Sequence, residues 1–330
     1  MNYIGSKHRL SSFIKSIILD VVGDDLSNKV FCDIFAGTGI VGRIFKSKVK
    51  QVISNDLEYY SYILNKNYIE NNTFLKGKDI YLRQLNNLPL VNGFIYNNYC
   101  SGGNIGRKYF SENNGKKIDA VRIQISKWKD TKEINDSMYY YLLASLLESA
   151  DEVANTASVY GAYLKKLKKT AQTDLIIKSA EYSLCKNNHL VFNEDSNSLI
   201  KNIQGDILYL DPPYNSRQYG ANYHLLNTIA LYDDFVPSGK TGLRKYNKSL
   251  YCSSLNVKKV FEDLIKNAKF KYIFLSYNNE GLMNNQDIKN IMCKYGRYHF
   301  VSKKYQRFKA DNNRIHINNI TKEFLHVLIK

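Results

Sequence analysis

The sequence predicts an α/β fold: a doubly wound, mostly parallel sheet carrying a mainly helical insertion. Three observations lead there. Short apolar runs alternate with helical periodicity near the N-terminus. A glycine-rich turn joins the first run to the next helix, and strand patterns resume after residue 188.

Residues 6–22 put Leu10, Phe13, Ile14, Ile17, Ile18 and Val21 at helical spacing. Residues 30–35, apolar but for Asp33, are short enough for a buried strand, and a glycine loop and a short helix over 40–47 follow. Val52-Ile53-Ser54 makes a second strand ending at Asn55-Asp56, with a tyrosine-rich helix over 57–71. Between 78 and 187 the character changes. Residues 92–117, rich in Asn, Gly and Tyr, read as loop, while 117–129 and 136–154 read as helices, the latter through Met138, Tyr141, Leu142, Ser145 and Leu146. Strand patterns return at 189–192, 206–210, 271–276 and 324–329, and 297–309 alternates as a hairpin arm does. The expected domains are a discontinuous sheet domain, 1–77 with 188–330, and an insertion, 78–187. No internal repeat or low-complexity linker is found.

A chain of 330 residues can bury a large core, and 44% hydrophobic with 23% charged residues is ordinary for a globular protein. The net charge of +17 is not ordinary. It points to a polyanionic partner, nucleic acid first, with salt-sensitive binding. A generally basic surface satisfies the same count. Lys15 and Asp20 break the first apolar stretch, so neither signal peptide nor membrane span is expected, and neither end carries a lipidation pattern. Cys32, Cys100, Cys185, Cys252 and Cys293 lie far apart with no Cys-x-x-Cys pair. That spacing argues against a metal site or disulfide framework and for core thiols in a reducing cytoplasm. The 27 tyrosines accompany many Asn, Lys and Ile residues, as an A/T-rich gene would encode, and carry no argument.

Phe35-Ala36-Gly37-Thr38-Gly39-Ile40-Val41-Gly42 follows a strand and opens a helix. Its glycines permit a tight turn and close approach of backbone to a ligand. Gly37, Gly39 and Gly42 fit a dinucleotide fingerprint, with Asp56 placed to bind ribose hydroxyls or, equally, to cap the helix that follows. On this loop alone a nicotinamide-dependent oxidoreductase stays open. Asp211-Pro212-Pro213-Tyr214 follows the strand-like Ile207-Leu208-Tyr209-Leu210. Two prolines end the strand, holding a carboxylate and a ring at its carboxyl end, where open α/β sheets place ligands. A turn with a capping Asp is the plainer reading.

That tetrapeptide resembles the signature of amino-group DNA methyltransferases, and its leading Asp goes with adenine. The motif order is similar to the alpha group of DNA adenine N6-methyltransferases, the Dam-like family: N-terminal cofactor segment, glycine loop, recognition insertion, Asp-Pro-Pro-Tyr. Asn215-Ser216-Arg217-Gln218-Tyr219, Asn222-Tyr223-His224-Leu225-Leu226, Val153-Ala154-Asn155-Thr156 and 159–165 resemble the subgroup of type II modification methylases that includes the FokI and NlaIII enzymes. Ser6, where the family often has Gly, is one departure.

The resemblance implies a Rossmann-like methyltransferase fold, S-adenosyl-L-methionine as cofactor, and 78–187 as the target-recognition insertion. It implies that Tyr3 and Lys7 hold the methionine end, and that Asp33, Phe35, Gly37, Gly39 and Asp56 line the cofactor site. Asp195 faces the cofactor's adenine amine in this reading, or caps a helix in the plainer one. The adenine amine is a poor nucleophile, its lone pair delocalised into the ring. Asp211 and the Pro212 carbonyl would accept its two hydrogens and free the lone pair, while Tyr214 would stack on a flipped base. The implied partners are double-stranded DNA, through a short site containing ATG, and a cognate restriction endonuclease. RNA methylation and a non-catalytic nucleic-acid-binding protein remain alternatives.

For DNA contact, Lys165, Lys166, Lys168 and Lys169 stand near Tyr160 and Tyr163, a combination suited to phosphate contact plus stacking or to a solvated helix face. Lys245 belongs to a second basic-aromatic stretch, 243–248. Lys303, Lys304, Arg307 and Lys309 lie on the hairpin arm. Arg217, Tyr219 and His224 are placed to face DNA, with helix packing the other reading for His224.

Overall fold

A computed structural model describes residues 7–306 and 320–330. Seven strands form one sheet: β1 Val30–Asp33, β2 Gln51–Asn55, β3 Leu190–Phe192, β4 Gln204–Leu210, β5 Lys269–Asn278, β6 Arg297–Gln306 and β7 Ile320–Ile329. The order is β3-β2-β1-β4-β5-β7-β6. β1 to β5 pair in parallel, and β7 runs antiparallel to both β5 and β6. The doubly wound α/β expectation therefore holds, and the fold is Rossmann-like. The strand order reverses between β1 and β4, which is where such sheets open a crevice at their carboxyl ends.

Register sorts the side chains. Asp33 opposes Tyr209, Tyr209 opposes Phe274, and Asn278 opposes Glu323, so these residues share one face with Ser276. The other face buries Cys32, Leu208, Leu210, Ile273 and Leu275 against Val257, Phe261, Leu264 and Ile265 of the helix Val257–Asn267, and against Ile288 and Met292 of Asn285–Met292. The first face is polar toward the carboxyl ends of the parallel strands, and that is what fits it to hold a site.

The described residues divide into two compact units. One takes Lys66–Leu184 and Tyr219–Tyr246; the other takes the residues up to Asn65, with Cys185–Gln218 and Asn247–Lys330. The sequence boundaries of 78 and 187 differ from these at the first crossing, where the helix Tyr59–Asn65 gives way to a π-turn over Lys66–Glu70. They also omit the second excursion, Tyr219–Tyr246. In the sheet unit, Gln218 and Ser249 close the neck of that excursion with Nε2 to the Ser249 carbonyl at 3.1 Å and the Ser249 N–H to Oε1 at 2.8 Å.

The helical unit is built on Glu112–Asp130 and Asp136–Val153, started by the side chains of Ser111 and Asn135. Residues 92–117, expected as loop, contain the helix Phe94–Tyr99 and the start of Glu112–Asp130. The reason is long-range capping: the buried Asp119 carboxylate accepts N–H bonds from Gly93, Ile95 and Tyr96 at 3.1, 2.9 and 2.8 Å. Gly115 lets this pair of helices close, since a Cβ there would stand 1.9 Å from the Cys100 sulfur. Arg122 caps the helix His224–Leu231, donating to the Ile229 and Ala230 carbonyls near its end.

All five cysteines are free. Cys32, Cys100 and Cys252 are the buried thiols expected, whereas Cys293 is exposed and Cys185 is half-buried with its sulfur 3.2 Å from His189 Nε2. Among the described residues, no helix is long and apolar enough to cross a membrane and no cluster of side chains is fit to hold a metal.

One buried amide ties three strand ends together. Asn55 donates to the carbonyls of Ile34 and Glu194 at 3.1 Å each and accepts the Glu194 N–H at 3.0 Å. Asn55→Ala leaves these backbone groups without partners and is expected to destabilise the protein by about 2–4 kcal/mol. A urea midpoint close to wild type would contradict this.

Candidate active site

The carboxyl ends of β1 and β4 are the two walls of the site. β1 runs out into Ile34-Phe35-Ala36-Gly37-Thr38-Gly39, and the backbone takes left-handed conformations at Gly37 (φ +52°) and Gly39 (φ +74°). The turn is braced from β2 and beyond. Asp56 Oδ2 accepts the Gly37 N–H at 2.8 Å while its Oδ1 accepts the Glu58 N–H at 2.9 Å. Asn65 Nδ2 and the Ser61 hydroxyl both donate to the Gly37 carbonyl. Asp56 thus braces the glycine turn and the turn ahead of the helix Tyr59–Asn65, and its carboxylate oxygens retain lone pairs for a ligand. A Cβ on Gly39 would lie 2.6 Å from Asn65 Oδ1, so the second glycine is demanded both by φ and by packing.

Asp33, at the end of β1, is almost wholly buried. Burial, with the Asp211 and Asp56 carboxylates nearby, pushes it well above the usual carboxylate range, although the N–H groups of Gly42 and Phe35 oppose the shift. Its Oδ1 is buried without a hydrogen-bond partner in the protein. Phe35 stands edge-on to Tyr251 with centroids 5.0 Å apart and packs against the core.

At the end of β4 the chain leaves the sheet through Asp211-Pro212-Pro213-Tyr214. The Lys7 ammonium lies 2.9 Å from Asp211 Oδ1 and 3.5 Å from Glu323 Oε1, and both Lys7 and Glu323 are buried. Burial pulls the Lys7 pKa down, but Asp211 and Glu323 more than reverse that and hold the ammonium well above its ordinary value. Burial pushes Asp211 up to about 6, against the pull of Lys7. The Ser276 hydroxyl donates to Glu323 Oε1 at 2.6 Å. The Tyr214 ring lies edge-on to Tyr277 at 6.4 Å, with the Lys7 ammonium 5.8 Å from its centroid, and its carbonyl accepts the Leu282 N–H at 2.9 Å. Sequence reading brought Lys7 and Asp211 forward separately and missed Glu323; the signal was a lone acid at the head of an apolar run.

The remaining candidates are placed as follows. Tyr3 lies outside the described residues, as do Arg307 and Lys309. Asp195 is exposed and caps the short helix Ser196–Leu199, accepting from the Ser198 N–H at 3.0 Å. Arg217 is exposed and belongs to the sheet unit. In the helical unit Tyr219 stacks with Tyr223 at 6.0 Å, and Lys245 is exposed. The lysine run is a loop ending in a 3-10 turn at Lys169–Gln172, not a helix face. Asn155 sets that loop, donating to the Lys108 and Leu164 carbonyls and accepting the Lys168 N–H at 2.9 Å. Lys165, Lys166 and Lys169 are exposed, whereas Lys168 folds back onto the Thr156 carbonyl at 3.0 Å. His224 is buried with Nε2 at 3.0 Å from the Tyr160 carbonyl, the packing role, and burial lowers it to about 4.

These residues suit the cofactor implied by the resemblance. Its methionine end carries an ammonium, which the unpartnered Asp33 Oδ1 is fit to accept. Its ribose offers hydroxyl donors to the Asp56 carboxylate, and the bare backbone of Gly37 and Gly39 gives it close approach.

Residues 3–291 match the D12 class N6 adenine-specific DNA methyltransferases. The chain is 60% identical over 333 residues to the type II methyltransferase M.NlaIII of Neisseria lactamica, covering 100% of this chain and 99% of that one. It is 37% identical to the type II methyltransferase M.CviAII of Paramecium bursaria Chlorella virus 1, over 98% of this chain and 97% of that one. It is 42% identical to the type II methyltransferase M.FokI of Planomicrobium okeanokoites over 95% of this chain, which spans 50% of that longer protein.

Gly39→Ala combines a left-handed φ with a clash against Asn65, and is expected to destabilise the protein by about 1–3 kcal/mol. Gly23→Ala, at φ +105° with open space around it, should show the backbone strain alone and so lose less. Equal urea midpoints for the two variants would show that the Asn65 contact does not matter.

Proposed function

The chain belongs to the D12 class of N6 adenine-specific DNA methyltransferases, and on that premise we propose that the Asp211-Pro212-Pro213-Tyr214 turn receives the adenine amine in a modification methylase specific for one short duplex sequence. The methyl donor of the class is S-adenosyl-L-methionine, which supplies an electrophilic methyl group. The nicotinamide reading, open on the glycine loop alone, falls away with the family. The observation that carries the proposal is the Lys7–Asp211 pair at 2.9 Å: one carboxylate oxygen is fixed, and the other is left to accept from an amine.

Asp211 Oδ2 takes one N6 hydrogen and the Pro212 carbonyl the other, so the nitrogen moves toward tetrahedral geometry and its lone pair becomes available. Pro212 and Pro213 hold these acceptors rigidly, because their φ angles are fixed by their rings. Tyr214 presents its ring to the base. The amine of a paired adenine is engaged in the duplex, so the base has to leave the stack first. Asp33, Phe35, Gly37, Gly39 and Asp56 hold the cofactor, with Tyr3 and Lys7 at its methionine end and Asp195 at its adenine; Lys7 also acts on Asp211. Lys165, Lys166, Lys169, Arg217, Tyr219 and Lys245 contact DNA, and the helical unit reads the sequence, a short site containing ATG. A cognate endonuclease that cuts the same site when it is unmethylated, and a cytoplasmic location, complete the reading. Expression in a methylation-free host followed by modified-base sequencing tests it. N6-methyladenine confined to one short sequence supports it; scattered or absent methylation overturns it.

Asp211→Ala is expected to abolish methyl transfer while S-adenosyl-L-methionine still binds, measured by equilibrium binding beside a single-turnover assay. In the wild type the rate should fall as pH drops below about 6, because the protonated Asp211 carboxyl no longer serves the amine as an acceptor pair with Pro212. Replacing Lys165, Lys166 and Lys169 together by Ala should flatten the slope of log affinity against log salt by about 2–3. An unchanged slope would remove these lysines from the phosphate contacts.

A further inference from the structure

We propose that Glu323 is a positioning residue for methyl transfer: it shares the Lys7 ammonium with Asp211 and leaves the buried cluster with one net negative charge. The proposal rests on Asp211 being the acceptor of the adenine amine.

Glu323 sits within β7, opposite Asn278 of β5 and Lys303 of β6, and is 3% exposed. It is followed by the apolar Phe324 and Leu325. Burying a carboxylate there is unfavourable unless it is answered. The answer is Ser276, which donates at 2.6 Å, and the Lys7 ammonium at 3.5 Å, both on Oε1. A simple Lys7–Asp211 pair would already be balanced. With Glu323 present, two carboxylates face one ammonium, and one negative charge is left over.

The surplus has a use in the reaction. The N6–methyl bond forms as the sulfur–methyl bond breaks, and the electron pair of the broken bond stays on sulfur. The positive charge passes from sulfonium to the amine, which then releases one of its protons to the Asp211 carboxylate or to water. A fixed anionic cluster beside that path favours the cation throughout. It also keeps Lys7 from neutralising Asp211 completely, which would weaken the carboxylate as an acceptor. The charged and titratable groups acting on Asp211 are Lys7, Glu323, Tyr209, Tyr214 and Asp33. Lys7 is the cation among them, so loss of the Glu323 charge leaves its pull on Asp211 unopposed from β7.

The test is Glu323→Gln, which keeps shape and an acceptor for Ser276 but removes the charge. Single-turnover methyl transfer to duplex DNA carrying the recognised site is followed from acid to neutral pH. Carbon NMR titration of Asp211 is run on the same protein without cofactor. The rate constant is expected to fall about tenfold or more, with the acid limb and the Asp211 titration both moved to lower pH. Glu323→Asp, which keeps the charge, should return both toward wild type. A rate loss with neither titration moved would show a merely structural role and overturn the proposal, as would an unchanged rate. Absence of adenine methylation by the wild type would instead overturn the acceptor assignment, and is seen before any substitution is made.

Discussion

The parallel pairing of β1 with β4 is the constraint on which the site depends. Because the strand order reverses there, the chain leaving β1 turns toward β2 and the chain leaving β4 turns toward β5. In open sheets of this kind the gap between such diverging chains is where a ligand site lies. The register then fixes what faces it: Asp33 stands level with Tyr209, two residues before Asp211. The glycine loop after β1 and the proline-locked carboxylate after β4 are brought to one place by strands far apart in sequence. Every other contact in the site adjusts this juxtaposition.

The adjustments are largely answers to buried charge. Asp33, Asp56 and Asp211 lie at or just beyond the carboxyl ends of β1, β2 and β4, and burial raises all three. Asp56 is quieted by backbone N–H groups and in return locks the glycine turn. Asp211 is answered by an ammonium from the N-terminal segment. Asp33 keeps one oxygen unanswered. In a protein at rest that costs about 1–3 kcal/mol, and a cationic ligand at that oxygen would offset it. The three carboxylates thus differ in their partners: backbone N–H groups for Asp56, an ammonium for Asp211, and none for one oxygen of Asp33.

How far the sequence could be read follows the same line. The strands β1, β2 and β4 were legible because each is a short apolar run closed by a residue that stops it: Gly37, Asp56, or the prolines after Asp211. The strands β5 and β7 were read too short. β5 continues through Ser276 to Asn278, and β7 begins at Ile320, so that Glu323 lies inside it. Polar residues in a sheet interior break the apolar pattern, and here they are the ones that face Lys7 and its partners. The helix Phe94–Tyr99 was hidden differently: its cap, Asp119, lies more than twenty residues away, and no local signal announces it. The Tyr219–Tyr246 excursion was hidden because its boundary is a tertiary fact, the clamp of Gln218 on Ser249.

The basic segments show why composition alone was insufficient. A +17 charge says that a polyanion is expected, not which lysines meet it. In the run 165–169, the backbone is held by Asn155 and one lysine, Lys168, donates to a backbone carbonyl. The ammonium of Lys168 is thereby used to build the loop, and those of Lys165, Lys166 and Lys169 stay exposed on a backbone that is already fixed. Fixing the backbone in advance lowers the ordering entropy that contact with a phosphate would otherwise demand. Side-chain freedom remains, which suits contacts that hold a duplex in place without reading it. The rest of the helical unit is shaped by longer-range bonds of the same kind, among them the caps that Asp119 and Arg122 provide.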